Sequence, residues 1–298
     1  MKKVRKILQV LLGLIGIVMV AVVCISVYDN TRFKSVYYQF GDTKDSQRKT
    51  DENVKIVFLT DLHSRMYGKN NEKLINAVKK EKPDLILIGG DMFVKNEHPD
   101  MRVALQLVTD IVKIAPVYYA NGNHEKKVMV NWESSKEPFE DYVKELKALG
   151  VHYLMGETEK VICKGRTFEI IGLDLDLYYY LKYWKKPELT LDKLTKRYLV
   201  PKRTGKEDCR ILLAHNPKYF TIYAQADVDY VLSGHVHGGL ARLPKLGGVI
   251  APDLTLFPKY DSGTFVSGDT TMVVSRGLGA HTLPIRIFNI PELSVIEL

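Results

Sequence analysis

The chain opens with an apolar run that no charge interrupts. From Ile7 to Val27, ILQVLLGLIGIVMVAVVCISV, 21 residues follow one another without an acid or a base. As a helix this run spans about 31 Å, roughly one hydrocarbon core. Lys2, Lys3, Arg5 and Lys6 precede it and Asp29 follows, so the N-terminus is expected in the cytoplasm and the rest of the chain outside. Arg32 and Lys34 weaken that asymmetry slightly. A cleaved signal peptide would have a shorter apolar core, about 7–15 residues, and a small-residue cleavage site. This run is longer and has no clear A-x-A site, so residues 1–28 are expected to be a basic tail with an uncleaved membrane anchor. The polar stretch GDTKDSQRKTDEN within residues 29–53 has no apolar periodicity and reads as a linker.

Beyond it, apolar β-branched runs alternate with helical spacing. Val54–Thr60, Asp84–Ile88, Val117–Tyr119 and Val151–Leu154 read as strands. Asn71–Lys80, Arg102–Ile114 and Phe139–Leu149 read as helices, with Leu74 and Val78, or Val103, Leu107, Ile111 and Ile114, along one side. The second half is richer in strands: Thr167–Leu173, Arg210–Ala214, Tyr230–Ser233, Thr271–Ser275, Arg286–Ile290 and Leu293–Leu298. The pattern predicts one α/β catalytic domain over residues 54–298.

Composition changes this picture little. Of 298 residues, 46% are hydrophobic and 26% charged, ordinary for a folded protein. The net charge is +8, but four positive charges fall in the first six residues, so the basic balance is largely local. No arginine-rich run with interleaved aromatics argues for nucleic acid as a partner. The cysteines, Cys24, Cys163 and Cys209, form no C-x-x-C pattern. Only a Cys163–Cys209 bridge is open to them outside the membrane.

The chemistry-bearing residues sit directly after predicted strands, where open α/β sheets bind ligands. Asp61 and His63 follow VKIVFLT, a spacing that lets both reach one metal. Asp91 follows Gly89-Gly90 and its two oxygens suit a bridge between cations. Asn121-Gly122-Asn123-His124-Glu125 follows VYYA, with Asn123 a neutral oxygen donor. His215 ends the strand RILLA. Gly234-His235-Val236-His237-Gly238-Gly239 holds two histidines on one glycine-flanked turn. Asp61 with His63 is a weak signal alone, and the two-histidine turn is the most specific single element. Together these motifs form a set of nitrogen and oxygen donors without sulfur, which suits Zn, Fe, Mn or Co better than calcium.

In the order D-x-H, G-D, G-N-H-E, H, G-H-x-H-G the chain resembles the calcineurin-like metallophosphoesterase superfamily over roughly Val54 to Leu298. It looks most like a bacterial membrane-associated branch that includes UDP-diacylglucosamine pyrophosphatase-like enzymes. Ser275-Arg276-Gly277-Leu278-Gly279, Pro284-Ile285-Arg286 and Pro291-Glu292-Leu293 add to the likeness, and Leu240 departs from it where a glutamine is expected. The resemblance implies a four-layer fold, two β-sheets face to face flanked by helices. It implies two divalent metal ions, one on Asp61, His63 and His237 and one on Asn123, His215 and His235, with Asp91 bridging. The implied activity is hydrolysis of a phosphoester or pyrophosphate bond by a metal-bridging hydroxide. In that chemistry His124 would protonate the leaving group or stabilise the transition state.

The expected substrates are phosphorylated small molecules or lipid-linked or nucleotide-sugar diphosphates. A nucleotide-linked lipid precursor would sit on the cytoplasmic side, against the predicted topology. An inactive membrane-bound binding protein on this fold would be expected to have lost ligands, whereas all seven are present. Arg276 and Arg286 are candidates for phosphate contact or for structural ion pairs. His98 reads as solvated, His152 as structural and His281 as a cleft residue. Leu177–Asp208 carries nine Lys or Arg against four Asp or Glu, with Tyr178, Tyr179, Tyr180, Tyr183 and Trp184 among them. It reads either as an amphipathic helical insert packed on the domain or as a flap at the membrane interface.

Overall fold

Strand VKIVFL shows why the molecule is layered. Ile56 and Phe58 point to one side and Val57 and Leu59 to the other, and all four are fully buried. Burial on both faces is the rule for parallel strands covered by further layers. The computed structural model describes residues 2–40, 53–181, 185, 187–251, 254–280 and 284–298.

One six-stranded sheet contains β1 (Lys34–Gln39), β2 (Lys55–Leu59), β3 (Leu85–Ile88), β4 (Val117–Ala120), β5 (His152–Leu154) and β14 (Glu292–Glu297), in the order β1-β14-β2-β3-β4-β5. The second contains β6 (Thr158–Cys163), β7 (Arg166–Gly172), β8 (Cys209–Leu213), β9 (Tyr230–Ser233), β12 (Gly263–Ser267) and β13 (Thr270–Val274), in the order β12-β13-β9-β8-β7-β6. A two-residue ladder joins β10 (Arg242–Leu243) to β11 (Gly247–Gly248). Between the sheets Ile56, Phe58, Leu85 and Leu87 meet Phe168, Ile170, Ile211 and Leu213. Outside the first sheet, Val57, Leu59, Ile86 and Ile88 pack on helices α2 (Glu72–Glu81), α3 (Arg102–Ile111) and α5 (Lys136–Ala148). Their i, i+4 pairs, Leu74 with Val78 and Phe139 with Val143, supply the facing stripe. Each such side chain contributes about 1.5–3 kcal/mol on burial. The chain thus has the expected α/β architecture of paired sheets flanked by helices.

The outer face of the second sheet is covered by the short helix α6 (Phe220–Tyr223) and by the basic aromatic insert. Tyr179, Leu189, Leu194 and Tyr198 of that insert are buried there, and the stretch Lys193–Arg197 is helical. The described part of the insert is therefore packed on the domain. Tyr183 and Trp184, like His281, lie outside the described residues.

Three expectations need correction. The linker reading of residues 29–53 does not hold for its first part, because Lys34–Gln39 pairs in parallel with the whole of β14. The half of the stretch that looked most linker-like, 41–52, lies outside the described residues. Arg286–Ile290 is not a strand: Phe288 has φ +53°, and of this stretch only Ile287 forms a bridge, to Ala241. Cys163 and Cys209 are free thiols. They lie on β6 and β8, which β7 separates, so two strand spacings of about 4.8 Å exceed a disulfide's reach.

Helix α1 (Lys2–Asn30) is long and apolar enough to cross a membrane. Its last turn touches the domain. Asn30 Nδ2 donates to Pro284 O at 3.0 Å, Arg286 N donates to Ser26 Oγ at 3.1 Å, and Asn289 N donates to Asp29 Oδ2 at 3.1 Å. Only Thr31–Phe33 separate α1 from β1.

Candidate metal centre

Strands β2, β3 and β4 run parallel in one sheet, and β7, β8 and β9 run parallel in the other. Each ends by releasing one polar loop, and the loops meet at a shared rim. Cross-bonds pin them together: Asp61 N to Gly90 O at 2.9 Å and His63 N to Asp91 O at 3.1 Å. His215 Nδ1 lies 2.6 Å from Gly89 O, and His235 N donates to both oxygens of Asp61 at 3.1 Å. The last contact explains Gly234, since a Cβ there would stand 2.1 Å from Asp61 Oδ2. Likewise a Cβ on Gly90, which has φ +87°, would meet Gly122 N at 2.0 Å.

Asp61, His63, Asp91, His235 and His237 all have left-handed backbones, with φ of 53°, 48°, 54°, 69° and 53°. Asp, Asn and His tolerate this region better than other residues. It still costs of order 1–3 kcal/mol each, and such strain gathers at functional sites.

The side chains converge. Asp61 Oδ1 is 3.3 Å from His237 Nε2 and 3.9 Å from His63 Nε2, and the two imidazole nitrogens are 3.1 Å apart. That separation is close to the roughly 3.3 Å edge of a tetrahedron with metal–nitrogen bonds of 2.0–2.1 Å. Asp91 Oδ2 lies 3.2 Å from His215 Nε2, 3.9 Å from His63 Nε2 and 3.8 Å from His124 Nε2. Asp61, His63 and His237 form one group with donor atoms within 4.8 Å of one another, and Asp91, His215 and His235 form another. Asn123 Oδ1 is buried without a hydrogen-bond partner among the described residues, and the next residue's N–H, His124 N, donates to Asp91 Oδ1 at 2.7 Å.

These donors fit divalent cations. Asp61 and Asp91 are both buried, and neither has a lysine or arginine at ion-pair distance among the described residues. Burial pushes the Asp61 carboxyl up to about 6, against the pull of His215. Burial disfavours charge on His215 as well, yet Asp91 and Asp61 outweigh it and push the imidazole up to about 10. Both shifts express the same want of positive charge beside the carboxylates.

Hydrogen bonds separate the histidines by role. A carbonyl can only accept, so Nδ1 of His215, against Gly89 O, carries a hydrogen, and Nε2, which faces the carboxylates, is the atom a cation would take in place of a proton. His237 Nδ1 faces both Gly279 O at 3.3 Å and Arg286 Nη2 at 3.5 Å. His124 is reversed: the Lys95 N–H donates to its Nδ1 at 3.0 Å. Its ring hydrogen is then on Nε2, which makes His124 a donor toward the site instead of a ligand. For that reason we set aside a metal group of His63, Asp91 and His124, although their donor atoms also lie within 4.8 Å.

Glu125 has a supporting role that motif reading alone did not assign. Its buried carboxylate accepts from Asp91 N at 2.8 Å and Gly122 N at 3.0 Å through Oε2. Through Oε1 it accepts from Met92 N and from the Tyr119 hydroxyl, both at 2.9 Å. It clamps the Asp91 loop to the start of helix α4 (Asn123–Asn131). Asn289 and Arg286 were also unassigned as braces. Asn289 Nδ2 donates to His237 O at 2.7 Å and Gly239 O at 2.6 Å, and Arg286 Nη2 donates to Arg276 O at 2.7 Å. Arg286 is thus spent on backbone carbonyls, and Arg276 faces Glu292 at 3.5 Å. His98 is exposed. His152 stacks on Tyr118, ring centroids 4.5 Å apart, away from the rim.

A family model for calcineurin-like phosphoesterases matches residues 54–239, the stretch that holds the donors from Asp61 to His237. The chain belongs to that family. This phosphoesterase is 26% identical over 246 residues to Phosphodiesterase YaeI of Escherichia coli (strain K12), covering 82% of each chain. It is 25% identical over 255 residues to the uncharacterized protein YpbG of Bacillus subtilis (strain 168), covering 85% of this chain and 84% of the relative. It is 28% identical over 286 residues to the uncharacterized metallophosphoesterase Cj0846 of Campylobacter jejuni, covering 94% of this chain and 68% of the relative. The phosphoesterase is a hydrolase of the metal-binding kind, with Asp and His clusters able to hold divalent ions.

Proposed function

We propose that the chain is a membrane-anchored phosphodiesterase or pyrophosphatase whose centre holds two divalent ions. The observation that carries this reading is the pair of buried carboxylates, each ringed by imidazoles and with no lysine or arginine at ion-pair distance among the described residues. Asp61, His63 and His237 would hold one ion, Asn123, His215 and His235 the other, and Asp91 would serve both. When bound, such ions neutralise phosphoryl oxygens and acidify a water. The chain's own part is to hold the donors in strained, pinned loops and to present the Nε2–H of His124. That donor stabilises charge growing on a phosphoryl or leaving oxygen. Tyr180 leans edge-on over His235, centroids 5.2 Å apart, and forms one wall of the approach.

The name of the Escherichia coli relative favours diesters. The basic N-terminus supports an inside tail and an outside catalytic domain. The docking of α1 on the rim favours a second reading, in which the substrate is a lipid-linked diphosphate in the membrane. The test is metal analysis of the purified full-length protein, with hydrolysis of phosphomonoesters, phosphodiesters and pyrophosphates before and after chelation. Two ions per chain and chelator-sensitive diester or pyrophosphate cleavage are expected. A protein that binds no divalent ion, or cleaves none of the three classes, would remove the reading.

A further inference from the structure

Three exposed, bulky apolar residues sit at loop tips in backbone conformations they normally avoid. Leu254, Phe257 and Phe288 have φ of 69°, 46° and 53°. Phe257 is 55% exposed and Phe288 62%, as is their neighbour Leu256 at 64%. Large side chains at positive φ are outliers. Nothing in the core is gained by them here, since they point outward.

These tips belong to one hydrogen-bonded lobe. Ile287 pairs with Ala241, and Ile250 with Leu256. Arg242 N donates to Ile287 O at 3.0 Å, Val249 N to Ala241 O at 2.9 Å and Phe257 N to Val249 O at 2.8 Å. The lobe is continuous with the anchor, because Arg286 and Asn289, beside Phe288, bond the last turn of α1 through Ser26 and Asp29. No spacer lifts it away: Ser26 is still within the apolar run that ends at Val27. Lys245 and Lys259 are exposed on the lobe, whose sequence also holds Asp253 and Asp261, the latter paired with Arg242 at 2.9 Å.

We propose that this lobe is a membrane-docking surface, with Leu254, Leu256, Phe257 and Phe288 entering the leaflet nearest the C-terminal end of α1. Lys245 and Lys259 meet its anionic headgroups. The lobe also walls a cavity of about 230 Å³ through Ala251, Thr255 and Pro258, and His235 is among the residues that line the same cavity. Docking therefore sets the mouth of the metal site at the headgroup layer. The inference rests on α1 spanning the bilayer, not on the reaction catalysed.

The test uses the full chain in single-copy nanodiscs containing anionic lipid, with Trp132 and Trp184 replaced by phenylalanine. Single tryptophans are then read for quenching by lipids brominated on the acyl chain. Leu256→Trp and Phe288→Trp should lose emission as Ile15→Trp does within α1. Ile162→Trp, 76% exposed on the far edge strand β6, should not. Quenching at position 15 with none at 256 and 288 overturns the docking surface and leaves the anchor standing. No quenching at position 15 overturns both. Leu254→Asp with Leu256→Asp should abolish any quenching of Phe288→Trp while leaving cleavage of a soluble aryl phosphodiester unchanged. Protection of position 256 that depends on protein concentration instead of lipid would assign the lobe to a second copy and overturn the proposal.

Discussion

Replacing His124 by alanine removes an Nε2–H but leaves whole the groups Asp61, His63 and His237 and Asp91, His215 and His235. The expected result is unchanged metal content with turnover lowered about 10²–10³-fold, the usual cost of removing one such hydrogen-bond donor. Because Nδ1 is already occupied by the Lys95 N–H, the group acts as a hydrogen-bond donor. The deficit should persist with a p-nitrophenolate leaving group, which needs no proton. Recovery of wild-type rates on that substrate would show that proton transfer is the role instead. Glu125→Ala deletes an acceptor shared by three backbone N–H groups and one hydroxyl. Each buried donor left unmet costs about 1–3 kcal/mol. A lowered melting temperature together with weakened metal binding is expected, and calorimetry with metal titration checks both.

At the scale of elements, the loop from Pro284 to Asn289 joins anchor and centre. Asn289→Ala leaves the buried Gly239 carbonyl without its donor and the His237 carbonyl with only a long contact to Arg286 Nη1 at 3.5 Å. A loss of about 1–3 kcal/mol per group follows. Reduced occupancy of the ion nearest His237 should accompany it, measurable by metal analysis at limiting metal. Besides the helices with a clear apolar stripe, the elements most readily read from sequence were strands buried on both faces. Strands β2, β3, β8 and β9 are continuous apolar runs and were legible. Strands β1, β6 and β12 lie at sheet edges and alternate between exposed and half-buried residues, so no apolar run announces them. Helix α4 begins on Asn123 and His124 themselves, and NHEKKVMVN carries too few apolar residues to show a helical stripe. The site residues could be proposed because each stands just after a legible strand. Glu125 and Asn289 could not be given roles, since those roles depend on which backbones happen to approach.

For the whole molecule, β1 makes β14 an interior strand, with all six residues in register. A chain cut to begin at Asn53 would lose β1 and the Tyr38–Glu292 bond, and would expose a β14 edge carrying Leu293 and Val295. Unpaired edges of this kind promote aggregation. A chain beginning at Thr31 keeps β1 and should melt higher and stay monomeric in comparison, as thermal denaturation and gel filtration would show. Equal behaviour of the two would mean β1 adds nothing.

The direct seating of α1 on the loop beneath His237 also limits how the protein meets its substrate. A catalytic head on a long leash would sweep a volume; with α1 as the proposed anchor, this one would patrol a plane. Encounters would then follow lateral diffusion and surface density, and dilution of the surrounding solution would matter little.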